Sequence, residues 1–232
     1  MGTESRLKPP IVERTCPPIP IVKSTYPQRV SRTICQLSEA DKVREALKEW
    51  SFNGESEDHD EPVETCELCG KHGLRYRFQI ENRLNHNMLW VGSKCILRFG
   101  IPVYDENGRL LDQRGARRKL NDLIWKKQNE SCVKALGCIA ACETDYREML
   151  YDALNYYRLH EYLSLKYARV VFWRLEKYKI AHTPEFFKLR LRSQRDKDTL
   201  HAMPLRDVHM LWRALSPGQR RLAIRLGHCA PG

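Results

Sequence analysis

Three cysteines carry the clearest chemistry in this chain. Cys66 and Cys69 form a Cys-x-x-Cys pair in CELCG, and Cys95 follows in VGSKCILRF after 25 intervening residues. Two thiols presented from a tight turn, with Gly70 free to close it, and a third returning later are the donor types that hold a Zn²⁺ ion. A structural site closes with four ligands, so a fourth donor is required. His72, three residues past Cys69, stays near the pair and is the first candidate. Cys132, Cys138 and Cys142 on a later helix come next, and water last. His86 lies in a turn about eight strand residues away, on the order of 25 Å, and is too far.

The elements that position these thiols are legible as patterns. LRYRFQIEN alternates, with Leu74, Tyr76, Phe78 and Ile80 on one side and Arg75, Arg77, Gln79 and Glu81 on the other, which predicts a half-buried strand. NRLNHN predicts a turn, MLWV a returning strand, and Gly92-Ser93 a helix entry that carries Cys95. Knuckle, hairpin and ligand-bearing helix in that order resemble a treble-clef zinc site. The segments CELCG, RYRFQIEN and VGSKCILRF are also similar to a zinc-binding module of uncharacterised proteins from bacterial phages, plasmids and integrative elements. The shared positions are Cys66, Cys69, Arg75, Tyr76, Val91, Gly92, Ser93, Cys95 and Ile96, within about 35 of the 232 residues. The resemblance implies one structural zinc and a mobile-element origin; it implies no activity.

The flanking sequence is punctuated by prolines and charge. Residues 1–30 hold Pro9, Pro10, Pro17, Pro18, Pro20 and Pro27, the composition of an extended arm. SEADKVREALKEW predicts a first helix, with Ser38 as cap and Asp41 completing a capping box. Residues 55–67 contain seven acids and no Lys or Arg, which reads as a solvated linker. VYDENGRLLD holds an Asn107-Gly108 turn. From about residue 112 the chain reads as helical, with FFKLRLR as an alternating exception and two closing helices joined at Ser216-Pro217. The fold class that follows is α+β: a small zinc-stapled β-hairpin module within a mainly helical protein. Its expected divisions are an arm at 1–30, a first helix with the zinc module at 31–111, and a helical domain at 112–232.

Charge bounds the partners. Forty basic against 29 acidic residues give a net +11, which favours anionic partners. Arg114, Arg117, Arg118, Lys126 and Lys127 cluster on one predicted helix, and Lys188, Arg190, Arg192 and Arg195 on a later segment. Residues 183–232 hold ten Lys or Arg against four acids. Arginine dominates, which suits bidentate contacts to phosphate. No Gly-rich phosphate loop is present, LSPGQRR reads as a proline-started helix, and NRLNHN lacks the second histidine that a zinc-supported nuclease hairpin requires. The nine cysteines and the lack of an apolar leader or spanning run place the chain in the cytoplasm, as thiols and metal ligands rather than disulfides.

These features lead to a non-enzymatic, zinc-containing protein of a mobile genetic element that binds DNA or RNA. The alternative is a counter-defence protein that binds and inhibits a host protein or ribonucleoprotein complex, as anti-CRISPR proteins do.

Overall fold

The computed structural model describes residues 26–232; the arm expected at 1–30 lies outside them except for its last residues, which already enter the first helix. The fold is mixed, 52% helical with one small antiparallel sheet. Helices α1 (Gln28–Gln36) and α2 (Val43–Glu49) lead into β1 (Trp50–Asp58), β2 (Tyr76–Asn82) and β3 (Met88–Val91), and α3 (Ser93–Phe99) follows. Then come α4 (Gln113–Cys142), α5 (Arg147–His160), α6 (Leu165–Lys177), a 3-10 turn at Pro184–Phe186, α7 (Gln194–His201), α8 (Leu205–Leu211) and α9 (Pro217–Arg225). No helix among the described residues is long and apolar enough to cross a membrane.

The sheet has the order β1-β2-β3. The expected hairpin is present, with Phe78 opposite Val91 and Ile80 opposite Leu89. Ahead of it stands a strand where the acidic composition suggested a linker. β1 begins at the fully buried Trp50 and runs antiparallel to β2 through Asp58, with a register shift between Phe52 and Ser56 where Gly54 takes φ +101°. Its carboxylates are used across the pair. Asp58 receives Arg75 through two hydrogen bonds of 2.7 and 3.0 Å, and Arg77 reaches Glu57 at 3.1 Å and Glu64 at 2.8 Å. Opposite charges placed directly across an antiparallel pair stabilise it. The acidic run is thus the partner of the arginines in RYRF.

The helix ends differ from expectation in an instructive way. α2 starts at Val43, with no side-chain cap from Lys42 before it. Ser38 instead accepts the Trp50 Nε1–H at 2.8 Å. The Glu49 carboxylate, nearly buried, accepts from the backbone N–H of Glu39 and Ala40 and from Asn82 Nδ2 at 2.9, 2.8 and 2.7 Å. NRLNHN finds its use here too. Asn82, Asn85 and Asn87 all donate to the Leu37 carbonyl just past α1, so the turn fastens the hairpin to the N-terminal helices.

Two cores result. One gathers α1, α2, the sheet, α3 and the first half of α4, around Trp50, Phe78, Ile80, Leu68 and Leu120. The other gathers the second half of α4 with α5–α9, around Leu136, Ile139, Tyr157, Phe172 and Phe187. The change of core therefore falls inside α4, between Ile124 and Cys132, rather than at its start. The helical stretch between 145 and 180 divides into α5 and α6. Thr183-Pro184-Glu185 opens only a single 3-10 turn, because Phe187 and Leu189 leave it as extended chain and bury their side chains in the helical core.

Candidate metal centre and basic surface

The Cys-x-x-Cys turn is closed by the Gly70 N–H on the Cys66 carbonyl at 2.7 Å and by the Cys66 N–H on the Lys71 carbonyl at 2.9 Å. Gly70 has φ +73°, so the position needs glycine for its conformation, and the Arg29 guanidinium lies 2.5 Å from where a Cβ would stand. Arg29 of α1 thus lies across the turn. β2 and β3 carry the chain out and back, and α3 starts at Ser93 with Cys95 in its first turn.

The three sulfurs meet. Cys66 Sγ stands 3.6 Å from Cys95 Sγ, which stands 3.3 Å from Cys69 Sγ, and all three lie within 4.8 Å of one another. A disulfide would hold two sulfurs at about 2.05 Å; thiolates around one tetrahedral ion at about 2.3 Å stand roughly 3.8 Å apart. Cys66, Cys69 and Cys95 are in no disulfide, and Cys16 lies outside the described residues. The Cys66–Cys69–Cys95 cluster is therefore able to hold a metal ion. Its protons are unequal. The Cys66 thiol is held down to about 5, chiefly by the hydrogen bond from Cys95 and further by the N–H groups of Gly92 and Cys69. The Cys95 thiol is pushed up, because it is the donor to Cys66 and is desolvated. A metal ion bound by these sulfurs would displace their protons, since metal binding releases ligand protons.

No fourth donor joins them among the described residues. His72 lies outside the sulfur cluster, its Nδ1 hydrogen-bonded to Thr65 Oγ1 at 2.7 Å. Cys132 is sealed in the helical core, where burial pushes its thiol up to about 11. Cys138 and Cys142 lie further along α4, in the helical half. His86 sits at the far turn, paired with Glu81 at 2.8 Å. The sulfurs border a cavity of about 190 Å³ lined also by Lys71, Arg75, Tyr76 and Lys94. Arg75 and Tyr76 have a second task at its far side, where Arg75 lies over the Phe186 ring at 4.5 Å and Tyr76 accepts from Gln128 at 3.2 Å.

The basic residues divide by position. On α4, Ala116, Leu120, Leu123, Ile124 and Lys127 turn toward the protein, and the opposite face carries Arg114, Arg118 and Trp125 at i, i+4 and i+11. The Nζ of Lys188 lies over the Trp125 ring at 4.4 Å. That contact brings the 188–192 segment against α4. Arg114, Arg117, Arg118, Lys126, Lys188, Arg190, Arg192 and Arg195 are all exposed, and Lys127 is half-buried on the inner face. The aromatic residues Trp125 and Tyr162 escaped the charge-based reading.

Comparison with protein-family models, with characterised proteins and with solved structures found no match for this chain.

Proposed function

We propose that this is a zinc-stabilised nucleic-acid-binding protein of a mobile genetic element, acting by binding rather than by catalysis. The ion assigned to Cys66, Cys69 and Cys95 is Zn²⁺, since three thiolates are its preferred donors and the site has the size for it. Its contribution is structural: it ties the turn, the hairpin and α3 into one unit. Elemental analysis of the purified chain should give one zinc per molecule; a stoichiometric absence of metal overturns the assignment.

The observation that supports the binding reading is the contact of Lys188 with Trp125, which brings the basic 188–192 segment against the helix that carries Arg114 and Arg118. Exposed arginines free of carboxylate partners are an electrostatic footprint for phosphates. Among the described residues Arg114, Arg118, Arg190 and Arg192 make no ion pair, whereas Arg75 and Arg77 are consumed within the sheet. Arg114→Glu with Arg118→Glu is expected to weaken binding to all sequences alike. The slope of log affinity against log salt should flatten by roughly 0.7–0.9 for each phosphate that is no longer neutralised. Melting temperature should barely move, because both side chains are exposed. Gel shifts at several salt concentrations decide it. No measurable affinity for DNA or RNA at low salt overturns the reading in favour of a counter-defence protein that binds a host complex.

A further inference from the structure

The 187–192 segment forms one wall of a groove of about 710 Å³ whose other wall is the turn into α9. Ligand pockets of that size hold a nucleotide-sized group. The segment is fixed on both sides. The Leu163 N–H donates to the Lys188 carbonyl and the Arg190 N–H to the Leu163 carbonyl, both at 2.8 Å, and Gln219 Nε2 donates to the Leu189 carbonyl at 2.7 Å. Extended backbone sends alternate side chains to opposite faces. Phe187 and Leu189 go into the core, while Lys188, Arg190 and Arg192 stand exposed at successive spacings of about 6.6 Å. That repeat is close to the spacing of successive phosphates along an extended nucleic-acid strand.

Two further features distinguish the groove from a general basic patch. Its other cations are already engaged: Arg213 pairs with Glu185 at 2.7 Å, and Arg220 donates to the Trp212 and Arg213 carbonyls. Lys188, Arg190 and Arg192 make no ion pair among the described residues, and the contacts that Lys188 and Arg190 make are with the aromatic groups of Trp125 and Tyr162. Aromatic rings stand beside them. Arg190 donates to the Tyr162 hydroxyl at 3.2 Å, and Tyr162 belongs to a cluster with Tyr156 and His160 at centroid distances of 5.8 and 5.6 Å. A base meets such a ring only when it is not paired and stacked inside a duplex.

We infer that this groove seats single-stranded nucleic acid, with consecutive phosphates on Lys188, Arg190 and Arg192 and an unpaired base against Tyr162. The inference rests on the nucleic-acid reading above and narrows it to the unpaired form. Every base has a π-face, so recognition by stacking and charge tolerates any sequence.

The test is fluorescence anisotropy on the full chain with a labelled 12-mer as DNA, as RNA and as duplex DNA. Both single strands, or one of them, should bind more tightly than the duplex; a preference between them identifies the sugar that the groove accepts. Tyr162→Ala should weaken single-strand binding about 5- to 100-fold, the worth of one stacked base, and leave duplex binding unchanged. Tyr162→Phe, which keeps the ring, should retain the wild-type affinity. Arg192→Glu, at an exposed position, should flatten the single-strand salt slope without lowering the melting temperature. Should the duplex bind as tightly as the strands, or Tyr162→Ala leave all three affinities alone, the groove proposal is wrong and the broader reading survives. Displacement of the 12-mer by polyglutamate at equal charge, with no dependence on Tyr162, would also overturn it in favour of an acidic protein segment. Failure of every nucleic acid to bind at low salt removes the broader reading itself.

Discussion

Cys66→Ser is expected to abolish metal binding and to unfold the module built on residues 66–99. The hydroxyl does not replace a thiolate on zinc, and two remaining cysteines hold the ion poorly. The cysteines tie the turn before β2 to the start of α3, and binding free energy at a structural zinc site is folding free energy. The loss is therefore on the order of several kcal/mol, at the upper end of what single substitutions produce. Leu68, Phe78, Val91 and Ile96 are core residues of the same unit and would become exposed. Elemental analysis, near-ultraviolet circular dichroism and thermal melts report the three consequences together. His72→Ala and Cys142→Ser serve as contrasts: each lies outside the sulfur cluster and should keep both metal and stability. Retention of zinc and melting temperature by Cys66→Ser would show that Cys66 is no ligand.

The second large effect belongs to Glu49, which holds together α1, α2 and the hairpin turn without touching the cysteines. Glu49→Ala removes three charge-assisted hydrogen bonds and leaves the Glu39 and Ala40 N–H groups and the buried Asn82 amide short of an acceptor. The lost bonds to a charged group and one unsatisfied buried amide set a cost of about 2–4 kcal/mol, a drop in melting temperature on the order of 10 °C. The effect depends on pH in a stated direction. Desolvation pushes the Glu49 carboxyl up, but the bonds from Asn82, Glu39 and Ala40 outweigh it and hold the carboxyl below its ordinary value. Its stabilisation is thus present above the unfolded carboxyl value, about 4.3, and is lost as pH falls through the lower folded value. Denaturant titrations of wild type and variant should differ most near neutrality and converge in acid. A difference that grows on acidification would show that the charged form is not the stabilising one.

Local patterns and long-range partnerships were not equally legible in the sequence. β2, β3 and α3 followed from alternation in LRYRFQIEN and from Gly92-Ser93, because a half-buried strand and a helix entry each leave a short-range imprint. The meeting of Cys66, Cys69 and Cys95 followed from those elements. β1 did not. GESEDHDE has the composition of solvated chain, and what makes it a strand is Arg75 and Arg77, about twenty residues further on, which no local window joins to it. Ser38 and Asp41 illustrate the converse, a sound local capping signal overridden by Trp50 and by the Glu49 carboxylate. His72 was favoured by proximity in sequence, yet its side chain bonds to Thr65. The approach of the basic 188–192 segment to α4 required a contact between residues 125 and 188, which only the packing of α4 against the chain after the 3-10 turn provides.

Helix α4 runs unbroken for 30 residues, about 45 Å, and its two halves belong to different cores. Its backbone bonds cannot be kept on one side and surrendered on the other without ending the helix near Trp125, where Lys188 meets α4. On the binding reading, the placement of Arg114 and Arg118 relative to Arg190 and Arg192 therefore depends on how firmly the first half of the rod is seated, and that seat is the module the cysteines close. On the zinc and phosphate readings together, the ion and the anion share no ligand yet are linked through this one beam. Chelation would lower anion affinity from a distance, and by reciprocity a bound strand would make the metal harder to remove.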